Sequence, residues 1–241
     1  VTLHTLRFPG AGPLLNAQRR LADSGVEYLQ GSVDVSAAGT HVFTLNVAVS
    51  DLVYAPHLPD PEHLGTLPGP DPVSLDYEVF TRRSEHLDRA MTKLGVWHAP
   101  HPWAFLFVPS AHAEPFLRTV AGAFRTQRDG RVLVYLVRHA TCHTPNVCVP
   151  EGESFLFGLL HNASAATLEA TLTSNAALHR AVTAVGGRVY AVGSIALSPA
   201  DWRHQLGARW AAFEAAKRRY DPAGIMTPGV TVFERREAAS A

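Results

Sequence analysis

The chain has 241 residues, 46% of them apolar and 17% charged, which suits a soluble globular protein of one sizeable domain or two small ones rather than a disordered one. Its 21 basic and 21 acidic residues cancel, so nothing in the charge balance favours nucleic acid or an anionic membrane as partner. No apolar run approaches the roughly 20 residues that span a bilayer, and no signal peptide is visible, so a cytoplasmic location is expected.

In chain order, residues 1–8 read as a strand, 13–23 as a short helix with Leu14, Leu15, Gln18, Leu21 and Ala22 on one stripe, and 26–35 as a second strand. Residues 41–54 alternate as a third strand, with Phe43, Leu45, Val47 and Val49 on one face. Six prolines and two glycines within 56–72 forbid regular structure there. A helix is predicted over 84–94, with Leu87, Ala90, Met91 and Leu94 as its apolar stripe and Gly95 ending it. Pro100 and Pro102 then make 97–102 a stiff non-helical corner. Apolar residues on both faces make 103–109 a strand buried on both sides. A helix over 113–124, strands over 131–138 and 154–160, a long helix over 164–185 and a strand over 188–197 follow. Ser198, Pro199 and Asp201 start a last helix that runs to about Tyr220, where Asp221 and Pro222 stop it. The fold class expected is α+β: an antiparallel sheet with helices packed against it.

One stretch carries more. K-L-G-V-W-H-A-P-H-P-W-A-F-L-F-V-P, Lys93 onward, resembles the K-L-G-L-W-x-x-P-H-P-W-L-N-x-F-V-P signature of cytokinin dehydrogenases, flavin-linked oxidases of the vanillyl-alcohol-oxidase type. V-E-Y-L-Q-G-S-V from Val26 is similar to F-D-Y-V-E-G-S-V of that family, and the helix containing Asn175 resembles its N-R-R-I-L helix. The run from Asp201 to Phe233 is similar to the family's D-W-x-x-H-F-G…Y-D-P-x-x-L-L-S-P-G-Q-x-I-F. The blocks occur in the family's order. The resemblance implies oxidation of a CH–NH bond in a secondary amine on a purine, with FAD as cofactor, and hydrolysis of the resulting imine by water to adenine and an aldehyde. It covers the substrate-binding part (1–185) and a C-terminal segment (186–241) expected to pack on a flavin domain. That domain, which in the family carries the flavin-linking histidine and the catalytic aspartate, has no counterpart here, so no catalytic residue is assigned. The first residue is Val1, and a fragment or split enzyme with a separate flavin-binding polypeptide is the expectation. FAD is not expected to bind this chain alone.

The resemblance also places site residues. Gln30 stands where the family has a glutamate beside its catalytic aspartate; an amide cannot couple to that aspartate as a like charge would, but it still hydrogen-bonds. Tyr135, His139 and Cys142 fall on the strand and loop that line the substrate cavity in the family. Thr227 and Gly229 of T-P-G-V match S-P-G-Q, which lies against the flavin, whereas Val192 and Val230 replace a tyrosine and a glutamine. Read from the residues alone, His139, Cys142, His143 and Cys148 leave zinc, a Cys142–Cys148 disulfide and a substrate-lining loop open; no metal site is assigned. The expected partner is a small amine or alcohol with a flat apolar group. The alternative is a flavin-independent small-molecule-binding protein or a relic of such an oxidase.

Overall fold

The alternation in β2 (Tyr28–Val35) shows how the molecule is layered. Leu29, Gly31, Val33 and Val35 point one way; Tyr28, Gln30, Ser32 and Asp34 point the other. The computed structural model, which describes residues 1–50, 61–142, 144, 147–226 and 232–233, extends both sets across one sheet. The other strands are β1 (Thr2–Phe8), β3 (His41–Val49), β4 (Val73–Ser74), β5 (Ala104–Pro109), β6 (Gly130–Arg138), β7 (Glu153–His161) and β8 (Arg188–Val189). Their order is β4-β1-β3-β2-β6-β7-β5-β8, and the pairings are antiparallel. The fold is α+β, as the sequence predicts.

Register carries Leu45, Gly31, Val134, Phe157 and Leu106 across the sheet in one row, and the four side chains other than glycine are fully buried. Helices α1 (Ala11–Asp23) and α4 (Ser110–Ala121) cover this face through Leu14, Leu15, Leu21, Ala113 and Leu117. Phe116 packs on Phe157 at 5.0 Å. The opposite row runs Thr5, Asn46, Gln30, then Tyr135, Leu156 and Phe107. Here Leu133, Tyr135 and Leu156 keep part of their surface open. Against this face lie Phe80 of α2 (Tyr77–Thr81) and Arg83, just before α3 (Ser84–Lys93).

The proline corner is tied down from outside. Ala163 N–H donates to Pro100 O at 2.8 Å, and the buried Asn175 of α5 (Leu168–Ala184) donates to Pro102 O at 2.8 Å. The strand after it starts at Ala104, one residue later than predicted, and Trp103 is half-buried, stacked on His101 at 5.6 Å.

Other boundaries differ from the sequence reading. The strand expected over 188–197 is regular only at Arg188–Val189. Its backbone goes on bonding to the corner strand, Tyr190 N–H to Phe105 O and Ser194 N–H to Trp103 O, but turns at Val192. A Cβ at Gly193 would meet Trp103 O at 2.5 Å, so the chain passes too closely for a regular ladder. The helix expected over 198–220 is two, α6 (Pro199–Leu206) and α7 (Trp210–Tyr220), divided where Gly207 takes φ 52°. The predicted start survives: the Ser198 side chain and Asp201 cap each other's backbone N–H groups reciprocally. α4 begins at Ser110, directly after Pro109, and α5 at Leu168, because Ser164 to Thr167 closes a turn through Thr167 Oγ1. Residues 51–54 of the third predicted strand lie outside the described residues.

Glu153 joins four elements. It accepts from Arg19 of α1 at 2.7 Å and from the Ser110 hydroxyl at 2.6 Å, with Arg138 at 3.6 Å. Burial pushes its carboxyl up, but Ser110, Arg19 and Arg138 outweigh this and hold it below the usual range. The stabilisation is therefore present above the unfolded value of about 4.3 and lost as pH falls through the lower folded value. Glu153→Gln is expected to cost about 1 kcal/mol near neutral pH. That difference should shrink below about pH 4, as urea unfolding across a pH series would reveal; a pH-independent difference would contradict the assignment.

Candidate functional site

On β2, Tyr28 and Gln30 sit two residues apart on the partly open face, as strand periodicity requires. The Tyr28 hydroxyl donates to Gln30 Oε1 at 3.0 Å, and Gln30 Nε2 donates to the Tyr135 oxygen at 2.5 Å across the β2–β6 junction. Arg83 Nε donates to the Tyr28 oxygen at 3.1 Å, and its guanidinium lies over the Tyr28 and Phe80 rings at 4.6 and 4.3 Å. Burial pushes the Tyr28 phenol up, more than Arg83 holds it down, so Tyr28 stays protonated and a donor at neutral pH. The structure thus brings together Gln30 and Tyr135, 105 residues apart, and adds Tyr28 and Arg83, which the sequence reading did not single out. Strand alternation next to Gln30 could have flagged Tyr28; nothing in the sequence marks Arg83.

His139 and Cys142 lie past the end of β6, in and after a 3₁₀ turn. His139 borders a cavity of about 490 Å³ with Cys148, Arg188, Gln205 and Arg209. Cys142 is half-buried and Cys148 buried; both are free thiols, and burial pushes the Cys148 thiol up. His143 lies outside the described residues, and among those described no His, Cys, Asp and Glu cluster could hold a metal ion. Thr227, Gly229 and Val230 also lie outside the described residues. Val192 is 57% exposed. A second cavity, about 470 Å³, separates α3 from the sheet and is lined by Asp34, Met91, Trp103, Arg131 and Leu160. Its volume falls within the range of small-organic-ligand sites. No helix among the described residues is long and apolar enough to cross a membrane.

The antiparallel sheet thus carries α1 and α4 on one face and, on the other, the Tyr28–Gln30–Tyr135 chain flanked by Leu133 and Leu156. Residues 72–233 match the family model described as "Cytokinin dehydrogenase 1, FAD and cytokinin binding", and the chain belongs to that family, whose members are FAD-dependent oxidoreductases. It is 29% identical over 238 residues to an uncharacterized oxidoreductase, open reading frame 5 in the fasciation locus of Rhodococcoides fascians, covering 95% of this chain and 54% of the relative. It is 33% identical over 164 residues to cytokinin dehydrogenase 1 of Oryza sativa subsp. japonica, covering 65% of this chain and 31% of that protein. Among solved structures, 6-hydroxy-D-nicotine oxidase from Arthrobacter nicotinovorans is similar with TM-score 0.48 and 14% identity, over 92% of this chain and 52% of that one. The chain therefore spans from 31% to 54% of the length of these two relatives.

Proposed function

We propose that this chain is the substrate-binding portion of an FAD-dependent oxidoreductase that oxidises a CH–NH bond of a cytokinin-like amine. The observation that carries the proposal is the Gln30–Tyr135 pair on the partly open sheet face of a chain belonging to this family. FAD, when bound, supplies the two-electron oxidant. The residues present suit its neighbourhood: Leu133 and Leu156 offer flat apolar flanks beside Tyr135, and the face is not closed by the described helices. In this reading Tyr135 touches the substrate, Gln30 orients Tyr135, and the leucines exclude water around the reacting amine. Residues 1–185 would bind substrate, while the segment from 186 to 241, with Thr227 and Gly229, would pack against a flavin-binding unit carried by another polypeptide or a further part of the protein.

A second reading has one observation in its favour. Val192 is exposed and offers no hydrogen bond to a flavin ring, which suits a small-molecule-binding protein without redox chemistry. The two are separated by combining the chain with FAD and a flavin-binding domain supplied as a second polypeptide, then adding isopentenyladenine without oxygen. Bleaching of the flavin's visible band is expected. An intact complex that stays yellow while isopentenyladenine binds would overturn the oxidoreductase reading in favour of the second.

A further inference from the structure

The hydrogen bonds around Gln30 run in one direction. Arg83 can only donate, and it gives its Nε proton to the Tyr28 oxygen. A phenol that accepts from a cation is a stronger donor in turn, and Tyr28 donates to Gln30 Oε1. That commits the amide carbonyl, so the amide nitrogen faces Tyr135 and donates to its oxygen. Turning the amide round would strand the Tyr28 proton in the half-buried space beside Phe80 and Arg83. In the arrangement observed, the unspent proton belongs to Tyr135, and no described residue accepts it.

We propose that Arg83 and Tyr28 are positioning residues that turn the Gln30 amide so that Tyr135 presents a hydrogen-bond donor from the sheet. The site thereby selects ligands with an acceptor atom, such as an aromatic ring nitrogen, at the edge of a flat apolar group. This deepens the substrate reading above and rests on it. Leu133, two residues from Tyr135 on β6, and Leu156, opposite it on β7, bed the apolar group. A carboxylate at position 30 would accept from both phenols and consume the Tyr135 proton. The amide leaves it available.

The test uses the full chain and has two arms. In the first, the six tyrosines are isotope-labelled at the ring carbon bearing oxygen and observed by NMR in equal parts light and heavy water. A slowly exchanging hydroxyl splits that carbon signal; a freely exchanging one does not. Tyr28 is expected to split and Tyr135 to stay single, whereas in Gln30→Glu the Tyr135 signal splits. Arg83→Gln frees the amide to turn, and part of the Tyr135 signal then splits while the fold is retained. In the second arm, quinoline and its nitrogen-free analogue naphthalene are titrated against labelled leucine methyl groups. Wild type is expected to bind quinoline about three- to tenfold more tightly, the worth of one net hydrogen bond. Tyr135→Phe and Gln30→Glu abolish that preference, and the retained dispersion of their leucine methyl spectra shows that the variants are folded. A Tyr135 hydroxyl already protected in wild type overturns the proposal, as does a quinoline preference that survives Tyr135→Phe. If the exchange pattern is as expected but neither probe moves the Leu133 and Leu156 signals, the amide orientation stands; the substrate-facing reading fails, and the acceptor-selective site with it.

Discussion

Gly130→Ala is expected to lower stability by about 4 kcal/mol or more. Gly130 opens β6 at φ 113°, a backbone conformation that side chains rarely adopt. The turn leading into it is pinned: Asp129 Oδ2 accepts from the backbone N–H groups of Arg125 and Thr126, each at 2.8 Å, and Asp129 O accepts from Asn162 N–H at 2.9 Å. A Cβ at this position would stand 1.8 Å from Leu160 O and 3.2 Å from His161 Cα. Both are backbone atoms of β7, the strand that β6 pairs along its whole length. No rotamer relieves the clash, so the β6–β7 ladder has to open at this end. Gly39→Ala separates the two contributions. Gly39 also has positive φ, 78°, but nothing lies within 4 Å of its Cβ position, so only the left-handed conformation costs, about 1–2 kcal/mol. Urea unfolding of both variants makes the comparison, and equal losses would show that the close approach to Leu160 is not the governing effect.

Gln205→Ala is expected to cost about 2–6 kcal/mol, because two buried backbone groups lose their partners at about 1–3 kcal/mol each. β8 is the last strand in the sheet order, and an edge strand leaves N–H and C=O groups unpaired. Val189 is 3% exposed, so water does not reach those groups freely. Gln205 of α6 completes the edge with one side chain: its Oε1 accepts from Val189 N–H at 3.1 Å and its Nε2 donates to Val189 O. The amide acts as one residue of a ninth strand. Unfolding free energy together with hydrogen exchange at the Val189 amide tests this; a loss under about 1 kcal/mol, with the amide still protected, would mean that another group covers the edge.

Those buried amides mark the limit of what the sequence discloses. The alternation in β2, the α1 stripe, the proline corner and the Ser198–Asp201 cap are local patterns, and each is legible because it depends on neighbours a few residues away. Gln18 is read as part of the α1 stripe, but not for its reason: it donates to Val134 O, 116 residues distant, beside Gly31, where a side chain would meet Val134. Asn175 and Gln205 likewise look like ordinary helix polars until the fold sets them against Pro102 and Val189. The expectation of a long strand over 188–197 follows from its apolar residues and fails because Gly193 has to pass under Trp103. At the site, Gln30 and Tyr135 come from resemblance, whereas their mutual bond and the Arg83–Tyr28 support depend on strand order and on a helix crossing that no spacing encodes.

Substrate is expected to bind on the sheet face that carries Gln30 and Tyr135. Titrating the methyl-labelled chain with isopentenyladenine by NMR, with FAD and a flavin-binding domain present, tests this most directly. The expected result is a shift of the Leu133 and Leu156 methyl signals, next to Tyr135 on β6 and β7, with binding weakened in Tyr135→Phe. Shifts confined to the cavity between α3 and the sheet, at Met91 and Leu160, with Leu133 and Leu156 unmoved, would contradict it.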